Sequence, residues 1–340
     1  MTSRNDAPGE TLQDDASDGS LQDDASGVTP LTTPRPGLLT TSQATPGTPV
    51  PLRPAALALW RSRTIPWFFA GPAAALFLVF FAYPLAASFA QSLQTTDGGI
   101  TRWAGAEQYT RMLDDPSFLR SLVNAGLILL VQVPIMIGLA LVLAYVLNQS
   151  WLRFRATLRT AYFLPAVTTL VAYAVVFRVL LRTEGGAVNQ VLGAQIDWLN
   201  DPFPARIALI ASVTWRWTGY NAIILLAGLQ AVGREQYEAA AIDGAGPLTT
   251  FLRVILPQLR PVVLFCSITS TIGTLQLFDE PLVLTGGGPS DATLTPILYL
   301  YQVGFRQFDF GYAAAIAWVV VALIGGLSHL QFRYFGRERS

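Results

Sequence analysis

The chain has 340 residues, of which 52% are hydrophobic and only 13% charged, and its formal net charge is zero. A soluble domain averages about 25% charged residues, so this chain has few charges with which to cover a water-facing surface. The neutral balance gives no indication of a nucleic-acid partner, which would require an excess of positive charge. The composition therefore favours an integral membrane protein.

The basic residues are all arginine, because the sequence contains no lysine. A phosphate-binding P-loop requires a lysine on the β- and γ-phosphates, so the chain cannot itself be an ordinary P-loop ATPase. The single cysteine, Cys266, and the single histidine, His329, are too few for an internal disulfide or a Cys/His zinc site. We therefore expect a non-catalytic protein with no metal and no cofactor of its own.

The first part of the chain differs in composition from the rest. Residues 1–54 are rich in Pro, Gly, Ser, Thr and Asp and repeat the sequence Leu-Gln-Asp-Asp-Ala-Ser. Such a segment buries too little apolar surface to offset the entropy lost on ordering. We predict a disordered polar tail over residues 1–54 and a transmembrane domain over residues 55–340.

Beyond Trp67 the apolar runs are long enough to cross a bilayer, which takes about 20 residues. Prolines within these runs, such as Pro134 and Pro165, indicate kinked helices packed in a bundle, where neighbouring groups satisfy the freed carbonyls. The predicted fold class is all-α, an integral membrane bundle of about six transmembrane helices. The six runs are Trp67–Leu93, Leu122–Leu147, Leu158–Leu181, Ile207–Leu229, Pro261–Phe278 and Tyr312–Phe332.

Arginine placement predicts the orientation of the bundle. Arginines concentrate at alternate flanks of the runs, for example at Arg153, Arg155 and Arg159, whereas the intervening loops carry 11 of the 22 acidic residues. Cytoplasmic loops of membrane proteins are enriched in Lys and Arg. With an even number of spans, both termini are expected in the cytoplasm, and the chain is expected to be a multi-pass protein of the cytoplasmic (inner) membrane.

The segment 234–257, between the fourth and fifth runs, carries the most specific pattern. Residues 235–243 favour a helix, which Gly244 can end because glycine tolerates the left-handed C-terminal position. Pro247 can open a second helix at its first position, and this helix would place apolar residues against the membrane bundle. Composition alone leaves two interpretations open, a connector lying on the membrane surface or an element that docks a partner.

The sequence of this segment resembles the "EAA" loop of binding-protein-dependent ABC importer permeases. The resemblance rests on Glu238-Ala239-Ala240, Asp243-Gly244 and, nine residues later, Val254-x-Leu256-Pro257. In that family the loop is the coupling helix, which sits in a groove of the ATPase subunit. The resemblance thus implies an ATPase-coupling role, carried by Glu238, Ala239, Ala240, Asp243, Gly244 and Pro257.

The resemblance extends over most of residues 65–335. It is closest to the carbohydrate-uptake branch, in particular the first permease of maltose-type and glycerol-phosphate-type systems, and Thr285-Gly-Gly-Gly-Pro289 resembles the external loop before the last helix. It implies a type I importer permease fold and import of a sugar or sugar-like solute. It also implies partners: ATP-binding cassette subunits that bind the ATP, a second homologous permease and an extracytoplasmic solute-binding protein, all in contact with membrane lipid.

Polar residues within the fourth and fifth runs are candidates for the solute path. Such residues are costly in a membrane and usually face a cavity or another helix. Hydroxyl, amide and aromatic groups suit sugar recognition, although Ser and Thr also mediate ordinary helix packing. The candidates are Trp215, Asn221, Thr269, Ser270, Thr274 and Gln276.

The alternative function is a secondary transporter or channel for a small polar solute. Ion-driven carriers typically bury paired ionisable groups in the membrane. In the sequence, Arg178 and Arg216 have no evident acidic partner within an apolar run. This observation favours the ATP-driven permease over the ion-driven carrier.

Overall fold

The computed structural model describes residues 70–97 and 99–336, all of which lie within the compact unit Pro66–Ser340. The predicted polar tail 1–54 lies outside the described residues. The described part is mostly helical, as predicted. Its helices are α1 (Ala70–Ser92), α2 (Glu107–Leu113), α3 (Pro116–Asn148), α4 (Arg155–Val167), α5 (Leu170–Leu180), α6 (Ala187–Leu192), α7 (Pro202–Ala231), α8 (Arg234–Ile242), α9 (Pro247–Gln258), α10 (Arg260–Leu275), α11 (Asp279–Leu284), α12 (Pro296–Tyr301) and α13 (Phe310–Gly336).

Several of these helices are suited to cross a membrane. Within the described ranges, α1, α3 and α13 are long and apolar enough by themselves, and the bent pairs α4–α5 and α9–α10 bring the total to as many as five. The fourth predicted run lies in α7, whose 30 residues are long enough. Its Trp-Arg-Trp-Thr-Gly-Tyr-Asn stretch, however, lowers its hydropathy, so α7 stands apart from the other spans in composition.

The third run, Leu158–Leu181, was predicted to be a kinked transmembrane helix, and the bend in the structure is sharper than a kink. The run is broken into α4 and α5, which meet at an angle of 96°. The break falls at Thr168 and Thr169, whose backbone is extended, with ψ of 139° and 138°. The fifth run is likewise preceded by a bend, of 69° between α9 and α10. The bend between α4 and α5 is held by contacts with residues distant in the chain. Periodicity in the sequence does not reveal such contacts.

The central packing of the bundle is α7 against α3. Small residues, among them Ala140, Ala144 and Ala222, are fully buried there and let the two helices approach closely. On another side of α7, a Cβ at Gly219 would overlap the carbonyl oxygen of Tyr162 in α4. Glycine at this position therefore permits the α4–α7 crossing.

The start of α3 is tied to the C-terminal part of the bundle through Asp115. This carboxylate caps α3 by accepting hydrogen bonds from the backbone N–H groups of Ser117 and Phe118, at 3.0 and 3.2 Å. It also accepts hydrogen bonds from the hydroxyl groups of Tyr299 at 2.5 Å and Tyr312 at 2.6 Å. Burial opposes ionisation of Asp115, but these hydrogen bonds outweigh it and hold its pKa below the usual range.

A short antiparallel hairpin follows α1 and was not predicted. Its strands are β1 (Gln94–Asp97) and β2 (Ile100–Trp103), with Gln94 opposite Trp103. The Asp97-Gly98-Gly99 sequence is a recognisable hairpin signal. The Gln108 side chain donates to the Gln94 carbonyl at 3.1 Å, which attaches the hairpin to α2.

A buried ion pair joins α7 to α11. Arg216 Nη1 lies 3.6 Å from Glu280 Oε1, and the two side chains are only 8% and 5% exposed. The Arg216 guanidinium also lies 4.7 Å from the centre of the Tyr173 ring of α5 and donates through Nη2 to the Thr168 carbonyl at 3.3 Å. The sequence showed no acidic partner for Arg216 within an apolar run, and its partner in the structure comes instead from a segment that the sequence places in an external loop.

We predict that Arg216→Met lowers the apparent unfolding temperature of the detergent-solubilised protein. The change leaves the Glu280 carboxylate buried without a partner, which costs about 3–5 kcal/mol. The double variant Arg216→Met/Glu280→Met removes both charges, so its unfolding temperature should fall less than that of Arg216→Met alone.

The control is Arg120→Met, which removes the same side chain from an ion pair with Asp291 in which Arg120 is 64% exposed. Exposed pairs contribute about 0–1 kcal/mol, so this variant should unfold close to wild type. An equal fall in unfolding temperature for Arg120→Met and Arg216→Met would contradict a structural role for the buried pair.

Candidate functional site

The turn between α8 and α9 has the geometry that the sequence predicted. Helix α8 ends at Ile242, and Gly244 follows with a left-handed φ of +72°. The N–H of Ala245 bonds the Ala240 carbonyl at 2.9 Å and the N–H of Gly244 bonds the Ala241 carbonyl at 3.1 Å. These are the two hydrogen bonds of a Schellman motif, which requires the left-handed residue that Gly244 supplies. The second helix then starts at Pro247, as predicted.

One side of this helical hairpin is anchored to the bundle. Ile255 is fully buried in the cluster formed by α3, α7 and α10, and Phe251 and Val254 pack against it. The Phe251 ring lies 4.7 Å from that of Tyr145 in α3. Tyr237 of α8 packs on the same cluster, and burial raises the pKa of its hydroxyl. The hairpin is therefore fixed in position rather than loosely attached.

The other side of the hairpin is free. Among the predicted coupling residues, Ala240 is buried, whereas the others are exposed. Two large apolar side chains are exposed beside them, Ile242 at 86% and Leu248 at 67%. An apolar surface on a rigid support with acidic neighbours is suited to contact with another protein. The exposed predicted residues are Glu238, Ala239, Asp243, Gly244 and Pro257.

A cavity of about 380 Å³ lies among α3, α7, α10 and α11. This volume falls in the range of small-molecule sites. Amide, hydroxyl, aromatic and carboxylate side chains line it together with apolar ones. The lining residues are Gln132, Met136, Leu170, Val213, Trp217, Tyr220, Asn221, Thr269, Ser270, Gly273, Thr274, Gln276, Leu277, Phe278, Asp279 and Glu280.

The cavity brings together five of the six predicted solute-path residues: Asn221, Thr269, Ser270, Thr274 and Gln276. The sixth, Trp215, is not in the lining; it is half exposed and its ring lies 5.3 Å from Phe177 of α5. Helical geometry explains the difference. Trp217 and Asn221 are four residues apart on one face of α7, whereas Trp215 points to another face.

The polar groups of the lining differ in whether they are already hydrogen-bonded. Thr274 donates to the Gln132 side-chain oxygen at 2.9 Å, Asn221 donates to the Trp217 carbonyl at 3.1 Å, and Thr269 donates to the Phe265 carbonyl. Ser270 and Gln276 have no such bond to any residue that the structure describes. These two are therefore the groups most available to a solute.

The sequence reasoning missed other lining residues. Gln132 lies in the most apolar run, where a lone amide is itself a signal for a polar partner or cavity. Asp279 and Glu280 were placed in an external loop, yet they border the cavity at the start of α11. No group of three or more His, Cys, Asp or Glu side chains in the described ranges could hold a metal ion.

The glycine-rich segment before α12 forms a turn. Gly286 and Gly287 have φ of +66° and +94°. The Thr293 hydroxyl donates to the Gly288 carbonyl at 2.8 Å and closes the loop. These residues therefore serve as a structural turn.

Comparison with characterised proteins gives several relatives. The chain is 46% identical over 281 residues to the lactose transport system permease protein LacF of Rhizobium radiobacter, covering 80% of this chain and 94% of that protein. It is 34% identical to the arabinooligosaccharides transport system permease protein AraP of Bacillus subtilis, over 82% and 90% of the two chains. It is 36% identical to the sulfoquinovosyl glycerol transport system permease protein SmoG of Agrobacterium fabrum, over 74% and 84%.

The fold has solved counterparts. A chain of a bacterial ABC transporter involved in the import of the acidic polysaccharide alginate superposes with a TM-score of 0.73 at 20% identity, covering 83% of this chain and all of that one. The family pattern described as "binding-protein-dependent transport system inner membrane component" matches residues 115–339. The chain belongs to this family of inner-membrane transport components.

Proposed function

We propose that the chain is the membrane-spanning permease subunit of an ATP-driven importer and that it translocates a sugar or sugar-like solute. The observation that carries the proposal is the α8–α9 hairpin, a rigidly capped docking element with an anchored face and a free face. Family membership and the sugar-transport relatives support it. The cavity beside α7 and α10 provides the solute path.

The proposal requires partner subunits. The chain has no lysine for a P-loop, so a separate ATP-binding cassette subunit binds and hydrolyses the ATP, and this chain needs no cofactor. A second homologous permease completes the path, and an extracytoplasmic binding protein delivers the solute. Two observations support these partners. The family that matches this chain is described as binding-protein-dependent, and a solved alginate transporter is in complex with a periplasmic protein that holds an alginate pentasaccharide.

An ion-driven secondary transporter is the alternative that the sequence left open. The buried Arg216–Glu280 pair removes one reason for setting it aside, because carriers of that class also bury paired charges. Within the pair, however, Arg216 is held by Thr168 and Tyr173 and is absent from the cavity lining. Together with family membership, this favours a structural role for the pair and the ATP-driven permease for the chain.

Docking on the free face predicts a specific defect in Ile242→Asp. A carboxylate at this exposed apolar position should not affect the fold, but it cannot be buried at an interface without cost. We expect ATPase subunits to be lost from the purified complex and uptake to fall at least tenfold.

The matched control is Val191→Asp, which places the same charge on an apolar residue that is 88% exposed in α6, away from the hairpin. Co-purification and uptake should stay at wild-type levels. If Ile242→Asp retains both as well, the hairpin is not the docking element.

The free amide of the cavity predicts a defect in Gln276→Met. This change keeps the length of the side chain but removes its hydrogen-bonding groups. Losing one hydrogen bond costs about 1 kcal/mol, so we expect the KM for uptake to rise roughly fivefold.

The same change at Gln190, an exposed residue of α6 outside the cavity, is the control and should leave KM unchanged. Equal KM values for Gln276→Met and wild type would argue against solute contact at this position.

Orientation is the remaining part of the proposal, with both termini and the α8–α9 hairpin in the cytoplasm. Cys266 is buried and gives little background labelling, so single cysteines can be introduced directly. Ala241→Cys and Ser290→Cys are both at exposed positions. We expect a membrane-impermeant thiol reagent to label position 290 from outside intact cells and position 241 only after permeabilisation; the reverse pattern would invert the topology.

A further inference from the structure

The charges of the cavity lining bear on the class of sugar. Arginine is absent from the lining among the described residues, and the charged groups present are Asp279 and Glu280. Glu280 is buried and compensated by Arg216. Asp279 is exposed and forms no ion pair with a described residue. The wall that this chain contributes therefore carries one uncompensated negative charge.

The rest of the wall is uncharged and suited to a polyhydroxylated ring. Trp217, Tyr220 and Phe278 offer aromatic faces, and the amide of Gln276 and the hydroxyl of Ser270 are free to hydrogen-bond. An anionic solute would require a positive group at close range to offset its desolvation. The described lining has none to offer, and a carboxylate or sulfonate would instead meet the Asp279 carboxylate.

The expected size of the discrimination follows from Coulomb's law. Two like charges about 10 Å apart, at an effective dielectric constant of about 20, repel strongly enough to lower affinity by roughly tenfold. Desolvation of the anion adds to this effect. One unpaired carboxylate is thus sufficient to separate neutral from acidic sugars.

We propose that the cavity selects neutral saccharides over their uronic or sulfonated counterparts, and that Asp279 is a specificity-determining residue for this choice. This refinement rests on the proposed function, since it takes the cavity to be the solute path. It goes further because the proteins similar to this chain include transporters named for both neutral and acidic sugars.

The test measures solute binding to the purified complex of the permease with its partner subunits in nanodiscs. The binding protein is omitted, so that its own preference does not enter. Neutral di- and trisaccharides are screened by scintillation proximity, and the tightest binder is compared with its counterpart oxidised at C6 to the uronic acid. Wild type should bind the neutral sugar at least tenfold more tightly.

Asp279→Asn removes the charge with little change in shape. It should lower the ratio of neutral-sugar affinity to uronic-acid affinity severalfold by improving binding of the uronic acid. The control, Asp114→Asn, removes the same charge at an exposed position outside the cavity and should leave the ratio as in wild type. An unchanged ratio in Asp279→Asn, or a wild-type complex that binds the uronic acid as tightly as the neutral sugar, would overturn the refinement alone. Failure of every saccharide to bind would overturn the solute path as well.

Discussion

A buried guanidinium is the constraint on which the cavity depends. Arg216 cannot remain charged inside the bundle without partners, and it finds them on three elements: the Thr168 carbonyl at the end of α4, the Tyr173 ring of α5 and the Glu280 carboxylate of α11. The carbonyl belongs to the broken helix, where an intrahelical bond is missing. The same side chain thus helps to hold the 96° bend and fixes the short helix that borders the cavity.

How much of this could be predicted from the sequence depends on whether the signal is local. The α8–α9 hairpin was predicted closely, because Gly244 and Pro247 impose their backbone geometry without help from distant residues. The sharpness of the bend between α4 and α5 and the pairing of Arg216 with Glu280 were missed, because both depend on contacts between residues far apart in the chain. Trp215 was misplaced for a simpler reason, since helical phase separates it from Trp217 and Asn221.

The cavity likewise combines features that are evident in the local sequence with features that depend on contacts between distant residues. Polar residues in α7 and α10 were identified as a group, since hydroxyls and amides within apolar runs are conspicuous. Which of them are free could only be read from the structure. Thr274, Asn221 and Thr269 already form hydrogen bonds with neighbouring groups, whereas Ser270 and Gln276 do not. Composition indicates a polar path, but the satisfaction of individual groups determines where a solute can bind.

The exposed hairpin and the cavity are connected by continuous elements. Helix α7 contributes Trp217 and Asn221 to the cavity and ends at Ala231, three residues before α8 begins. On the other side of the hairpin, α9 leads through one bend into α10, which contributes Ser270 and Thr274. The buried cluster around Ile255 joins α9 to both α3 and α7. The hairpin and two walls of the cavity therefore belong to one continuous set of packed helices, which is the mechanical connection that the proposed coupling to an ATPase requires.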